Sequence, residues 1–203
     1  MIAVIDYGVG NLFSVEKALA ALGAEVRVTN QADDLRAAEK LVLPGVGAFG
    51  DCMANFEATG LVPVLRELVA AGKPLLGICV GLQILFEGSE ESPGVPGLGL
   101  LKGQVRRIEA PGLKVPHMGW NSLQIRAERE QTDLFKGLTE HPYVYFVHSY
   151  HAVPEDPAIV TATTDYGQTL TAAVAQGSIQ ATQFHPEKSG DVGQTILRNF
   201  LAG

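Results

Sequence analysis

Short apolar runs alternate with amphipathic stretches through the first half of the chain, a rhythm that predicts β-α-β units and a parallel sheet covered by helices. Strands are predicted at Ile2 to Ile5, Glu25 to Thr29, Lys40 to Leu43 and Pro74 to Ile78. Helices are predicted from Asn11 to Leu22, around Leu61 to Ala71 and from Val80 to Phe86, the first closing at Gly23, a residue type that commonly ends helices. The second half changes character. Leu100 to Ile108, Leu123 to Ile125, Tyr143 to Val147, Ile159 to Thr163 and Leu170 to Ala175 are β-rich, and a hairpin through Gln176-Gly177 joins the last of these to Ile179 to Phe184. A closing helix from about Asp191 to Leu201 carries Val192, Ile196, Leu197 and Phe200 at helical spacing. Ser89 to Gly99, rich in Gly, Pro, Ser and Glu, reads as a mobile loop. With no repeat and no linker, residues 1–203 are expected to form one α/β domain: a mostly parallel central sheet flanked by helices, with an added antiparallel part.

Composition narrows the partners. The 203 residues carry a net charge of −7 with Lys and Arg scattered, which argues against nucleic acid or an anionic membrane surface as the main partner. The start, Met1-Ile2-Ala3-Val4-Ile5-Asp6, lacks a basic segment and meets an acid early, so it does not read as a signal peptide. No apolar run approaches the roughly 20 residues needed to span a bilayer. Two cysteines without paired spacing point to free thiols in a reduced, cytoplasmic compartment.

The chemistry gathers at Gly77-Ile78-Cys79-Val80-Gly81. A strand, a sharp turn and a helix are outlined here, with a thiol at the turn. Small residues two positions either side suit such a turn, because a β-carbon there would obstruct the crowded backbone. Amides of the following turn would face the sulfur and favour its ionised, nucleophilic form. Taken alone, the pattern suits a nucleophile and a buried structural thiol equally. Gln183-Phe184-His185-Pro186-Glu187 follows another predicted strand, placing His185 at a strand end, with Glu187 two residues on to orient the ring and Pro186 limiting the geometry between them. That is a nucleophile, base and orienter set. Leu43-Pro44-Gly45-Val46-Gly47 follows a third strand and suits either an oxyanion donor loop, with the Val80 amide as second donor, or a plain turn. It is a poor phosphate loop, because no Gly-Lys-Ser/Thr follows. Cys52 lacks the flanking glycines and reads as a packed or partly exposed thiol. His117, His141, His148 and His151 match no zinc spacing with Cys, so no metal and no other cofactor is expected.

These residues resemble the Cys-His-Glu triad of class I glutamine amidotransferases. Asp6-Tyr7-Gly8-Val9-Gly10-Asn11-Leu12, Leu43 to Phe49, Pro116-His117-Met118-Gly119-Trp120-Asn121 and His185-Pro186-Glu187-Lys188-Ser189 narrow the resemblance to the glutaminase subunits of imidazole glycerol phosphate synthase, over essentially the whole chain. The resemblance implies the glutamine amidotransferase fold. It implies that Cys79 attacks the side-chain amide of L-glutamine, with His185 as base and acid and Glu187 holding the imidazole. An oxyanion would lie between Val80 and the loop Gly45, Val46 and Gly47. Gln83, Glu91, Ser149 and Tyr150 would hold glutamine, with Glu91 meeting its α-ammonium group; their bland readings are a solvated helix residue, an acidic loop and a strand end.

Free ammonia in neutral water is mostly ammonium and no longer a nucleophile, so a dry route to a partner is favoured. By resemblance that partner is a (β/α)₈-barrel cyclase, forming a heterodimer that makes imidazole glycerol phosphate for histidine synthesis and an aminoimidazole carboxamide ribonucleotide. Asn11, His117, Met118, Trp120, Asn121 and Lys188 are the implied docking residues, aromatic anchors being favoured at such faces. Trp120 also suits ordinary core packing. Rival readings are another synthase's glutaminase, a self-sufficient γ-glutamyl hydrolase, or a non-catalytic module on the same fold.

Overall fold

A computed structural model describes residues 1–126 and 134–203. The chain opens with β1 (Ile2–Ile5), α1 (Leu12–Ala21), β2 (Val26–Thr29), α2 (Ala32–Ala37), β3 (Lys40–Gly45), α3 (Phe49–Ala58), α4 (Val62–Ala70), β4 (Leu75–Cys79) and a single turn, α5 (Val80–Gln83). It continues with β5 (Gly88–Ser89), β6 (Gly103–Arg107), β7 (His117–Ser122), β8 (Gln124–Ile125), β9 (Tyr143–His148), β10 (Tyr150–Pro154), β11 (Val160–Asp165), β12 (Thr169–Gln176), β13 (Ile179–Thr182) and α6 (Gly190–Ala202).

Among the described residues, eight strands form the main sheet in the order β2-β1-β3-β4-β13-β12-β11-β8. The pairs from β2 to β13 are parallel, and those from β13 to β8 antiparallel. Physical cause follows composition here. The strands β1 and β4, Ile-Ala-Val-Ile and Leu-Leu-Gly-Ile-Cys, are buried along their whole length, as apolar runs covered on both faces must be. The helix α6 lays Ile196, Leu197 and Phe200 on the core, and α4 contributes Leu65 and Leu68. The expected hairpin is present, with Gln176 paired to Ile179 across Gly177-Ser178. Two smaller pieces pack beside the sheet: β10-β6-β5, and the two-stranded ribbon β7-β9.

Several expectations change. The helix expected from Val80 to Phe86 ends at Gln83. Beyond Gln83 the chain tightens, the amides of Leu85 and Phe86 donating to the carbonyls of Leu82 and Gln83 three residues back, and the carbonyls of Ile84, Leu85 and Phe86 accept from the amides of Leu98 to Leu101. The segment Ser89 to Gly99, expected as a mobile loop, is tied down. Phe49 N–H donates to Glu91 Oε2 at 2.8 Å and Gly50 N–H to Ser92 Oγ at 3.0 Å, so this segment caps the free amides that open α3. The helix α3 was itself not expected, although Phe49, Cys52, Met53 and Phe56 have helical spacing and are all buried. Nor were α2, β5, β7 and β10. Cys52 is fully packed. Among the described residues, no helix is long and apolar enough to cross a membrane.

Candidate active site

Three neighbouring strands bring the site together. In the main sheet β4 lies between β3 and β13, with Gly45 opposite Cys79 and Thr182 opposite Ile78. The carboxyl ends of β3, β4 and β13 therefore deliver the glycine loop, Cys79 and His185 to one edge, where parallel sheets open a crevice.

Cys79 has φ 56° and ψ −115°, and among the described residues no other non-glycine has a positive φ. Such a left-handed residue is strained unless its surroundings hold it. Gly81 explains how the turn fits: a β-carbon there would lie 1.9 Å from the Leu43 carbonyl oxygen, and one on Gly45 would lie 2.6 Å from Gly81 N. Backbone packs directly on backbone, and only glycine permits it. The end of β3 is thus pressed against the start of α5.

His185 Nδ1 and Glu187 Oε1 are 2.8 Å apart, with both side chains buried. The other ring nitrogen, Nε2, is buried and makes no hydrogen bond among the described residues. Burial by itself pushes the imidazole pKa down, but the Cys79 sulfur and the Glu187 carboxylate outweigh it and lift the value to about 9. Gln183 Nε2 donates to Cys79 Sγ at 3.8 Å. The backbone of the turn is braced as well: His185 N–H donates to the Tyr145 carbonyl, and Ser189 Oγ donates to the His185 carbonyl at 2.6 Å. A thiol, an imidazole and a carboxylate arranged in this way can form a nucleophile, shuttle its proton and stabilise the charged ring.

A cavity of about 330 Å³ lies over Cys79 and His185, within the size range of small-ligand sites. Val46, Gly47 and Val80 form one side; Gln83, Glu91, Ser149 and Tyr150 reach it from the others. The glycine loop is held from below. Tyr7 Oη donates to the Pro44 carbonyl at 2.6 Å, and Cys52 Sγ donates to the Val46 carbonyl at 3.3 Å. Burial pushes the Cys52 thiol up to about 11, leaving it inert at neutral pH.

The ribbon β7-β9 separates the remaining residues by its alternation. Met118 and Trp120 project outward, 62% and 56% exposed, while His117 is buried on the opposite face. His117 is therefore not part of an exposed docking surface, despite its place in the same motif. Trp120 instead meets Tyr145 edge-on at 6.2 Å, and Lys188 Nζ lies 6.0 Å from the centre of the Tyr145 ring. Asn11 and Asn121 are partly exposed and Lys188 exposed. Tyr145, Gln183 and Phe13, which is 66% exposed at the start of α1, were not singled out from sequence. Phe13 carried a usable signal, an aromatic off the apolar stripe of its helix; the other two had none without the strand pairing.

Three histidines lie buried in and beside this ribbon. Burial holds His117 at about 4, His148 at about 3 and His151 at about 4. The unfolded chain binds a proton on each near pH 6.5, whereas the folded chain resists protonation until lower pH. Stability should therefore fall as pH drops from about 6.5 toward 4, by up to about 1.4 kcal/mol per pH unit for each histidine. Urea midpoints measured across that range test this; a midpoint that stayed level down to about pH 5 would contradict it.

The family model described as glutamine amidotransferase class-I matches residues 3–203. The chain is 51% identical over 203 residues to the imidazole glycerol phosphate synthase subunit HisH of Thermosynechococcus vestitus, covering 99% of this chain and 96% of that one. It is 54% identical over 201 residues to the subunit of the same name from Methanothermobacter thermautotrophicus, covering 99% and 98%. A crystal structure of a glutamine amidotransferase, 24% identical, superposes with a TM-score of 0.78 over 100% of this chain and 98% of that one, and so shares the fold. With matches of this depth along its whole length, the protein belongs to the class I glutamine amidotransferases, among the HisH subunits of imidazole glycerol phosphate synthase.

Proposed function

We propose that the chain acts as one glutaminase domain that hydrolyses L-glutamine and passes ammonia to a (β/α)₈-barrel cyclase subunit. One observation carries the chemistry: a thiol in a strained turn shares a cavity with a histidine whose Nδ1 is paired to a buried carboxylate and whose Nε2 is unpaired. The Cys79 thiolate attacks the side-chain carbonyl carbon of glutamine, and the carbonyl π electrons move to oxygen. The Val80 amide and the Gly45, Val46 and Gly47 loop stabilise that oxyanion. As the tetrahedral intermediate collapses, its C–N bond breaks and His185 gives the departing nitrogen a proton, leaving a γ-glutamyl thioester. Water, deprotonated by His185, then attacks the thioester and releases glutamate and the thiolate. Glu187 orients the ring and stabilises its charged form. Gln83, Glu91, Ser149 and Tyr150 hold the substrate; one Glu91 oxygen is already used on Phe49 N–H, which fixes the direction of the other.

The outward face of the ribbon supports docking of the partner. Met118, Trp120 and Tyr143 are exposed on it, with Lys188 beside Tyr145 and Asn11 and Phe13 at the adjoining helix end. Val147, in the same outward row, lines the cavity, so a protein seated on this face would cover the mouth of the site and keep ammonia from water. To test the reading, the chain is incubated with glutamine alone and then with the barrel subunit and its ribonucleotide substrate. Glutamate release is expected to be slow alone and to rise on the order of 10²-fold with both, the size of effect of one oxyanion donor moving into place. Fast release without the partner would overturn the gated reading and favour a self-sufficient hydrolase.

A further inference from the structure

The buried face of the ribbon carries a hydrogen-bond chain that fixes its own direction. It begins at Asn121. Ser122 N–H donates to Asn121 Oδ1 at 2.8 Å and Asn121 Nδ2 donates to the Asp165 carbonyl at 2.9 Å, so the orientation of the carboxamide is settled from both ends. Its remaining N–H points to His117 Nε2 at 3.1 Å. That nitrogen must accept, so His117 carries its proton on Nδ1, which lies 2.9 Å from His148 Nε2. His148 Nε2 in turn accepts, leaving its proton on Nδ1 to be donated to the Tyr150 carbonyl at 2.8 Å. A carbonyl cannot donate, so the far end demands the same polarity as the near end.

The chain continues into the catalytic cavity. The Tyr150 carbonyl also accepts from Gln83 Nε2 at 3.1 Å, and the same amide donates to Gln183 Oε1 at 3.1 Å. Gln183 is thereby turned so that its own Nε2 meets Cys79 Sγ. His117 is clamped between the rings of Phe146 and Tyr166, at 4.7 and 4.2 Å, so it has little freedom to turn away. Both histidines are buried, and among the described residues no carboxylate hydrogen-bonds to either ring.

We propose that His117 and His148 are positioning residues of the glutamine site, a pair of neutral Nδ1–H imidazoles that hold the Ser149-Tyr150 wall in register with Gln83, Gln183 and Cys79. The inference rests on the glutaminase reading above. It gives the docking motif a second role: Met118 and Trp120 face outward, while His117 and Asn121, alternating with them on one strand, reach the pocket wall through the interior.

The test uses the complex with the barrel subunit and its ribonucleotide, comparing His148→Asn with His148→Leu. Asparagine keeps a donor at the δ position for the Tyr150 carbonyl; leucine fills the space and donates nothing. His148→Leu should raise KM for glutamine about tenfold, the size of one lost hydrogen bond, with kcat much less affected, and His148→Asn should restore most of that loss. If the ring were only a core filler, leucine would be the better replacement, and that ranking would overturn the proposal. A second measurement needs neither variant nor activity: ¹⁵N chemical shifts of the imidazoles in the wild-type chain at neutral pH should report Nδ1–H tautomers for both His117 and His148. An Nε2–H or doubly protonated ring at either position would overturn it. A complex without glutaminase activity but with these tautomers would instead sink the functional reading while leaving the chain of donors intact.

Discussion

Replacing Cys79 by alanine is expected to lower glutamate release by at least about 10⁴-fold in the complex with the barrel subunit, the scale on which removing a nucleophile acts. The other cysteine cannot take over the attack. Cys52 is packed in α3, holds the Val46 carbonyl and is pushed to about 11 by burial. The variant should still fold, because alanine at φ 56° carries much the same backbone strain as cysteine and the glycines that make room for the turn are untouched. Far-ultraviolet circular dichroism checks the fold and a coupled glutamate assay checks the rate. Release within about tenfold of wild type would remove Cys79 as nucleophile and with it the covalent mechanism.

Glu187→Gln should cost about 10³- to 10⁴-fold in kcat while leaving KM for glutamine nearly unchanged. The glutamine side chain has the size of glutamate but can present its N–H to the ring, which would force the wrong tautomer, and it cannot stabilise the charged imidazole. The pH dependence gives an independent readout. In the wild type, burial lowers the His185 pKa and the Cys79 sulfur and Glu187 carboxylate overcome it, to about 9. Without the carboxylate, burial gains ground and the ring should titrate at lower pH. The same shift is a stability term. A histidine with a raised folded pKa contributes stability that is fully present below about pH 6.5 and lost as pH rises through about 9, so the urea midpoint of Glu187→Gln should vary less with pH across that window. A variant with wild-type kcat, or with an unchanged pH profile, would show that Glu187 does not orient the base.

Both predictions depend on residues that the sequence itself brings forward, and that is uneven across the molecule. The glycines flanking Cys79, the Pro between His185 and Glu187 and the apolar runs before them are local signals, because strand, turn and ring geometry over a few residues follow from which side chains stand next to each other. The register of β4 with β3 and β13 then carries those three sites to one edge without further specification.

Elsewhere local pattern is silent or misleading. His117 and Trp120 sit three residues apart in one motif, and resemblance assigns both to docking. Only the pairing of β7 with β9 separates them, sending the tryptophan to solvent and the histidine to the interior. Ser89 to Gly99 has the composition of a loose loop, yet its acidic and hydroxyl side chains find the unpaired amides of α3, some 40 residues earlier in the chain. Gln183 looks like any polar residue at a strand end until Gln83, 100 positions away, turns its amide toward Cys79.

From its sequence alone, then, this protein's strands, its glycine turn and its Cys, His and Glu could be read, because each is written in contacts between near neighbours along the chain. The tertiary structure decided which face of the ribbon meets solvent, what ties down the acidic loop and how the buried amides and imidazoles are oriented. Those depend on hydrogen-bond partners supplied by distant segments, and a donor's direction is settled only when the acceptor at the other end is in place.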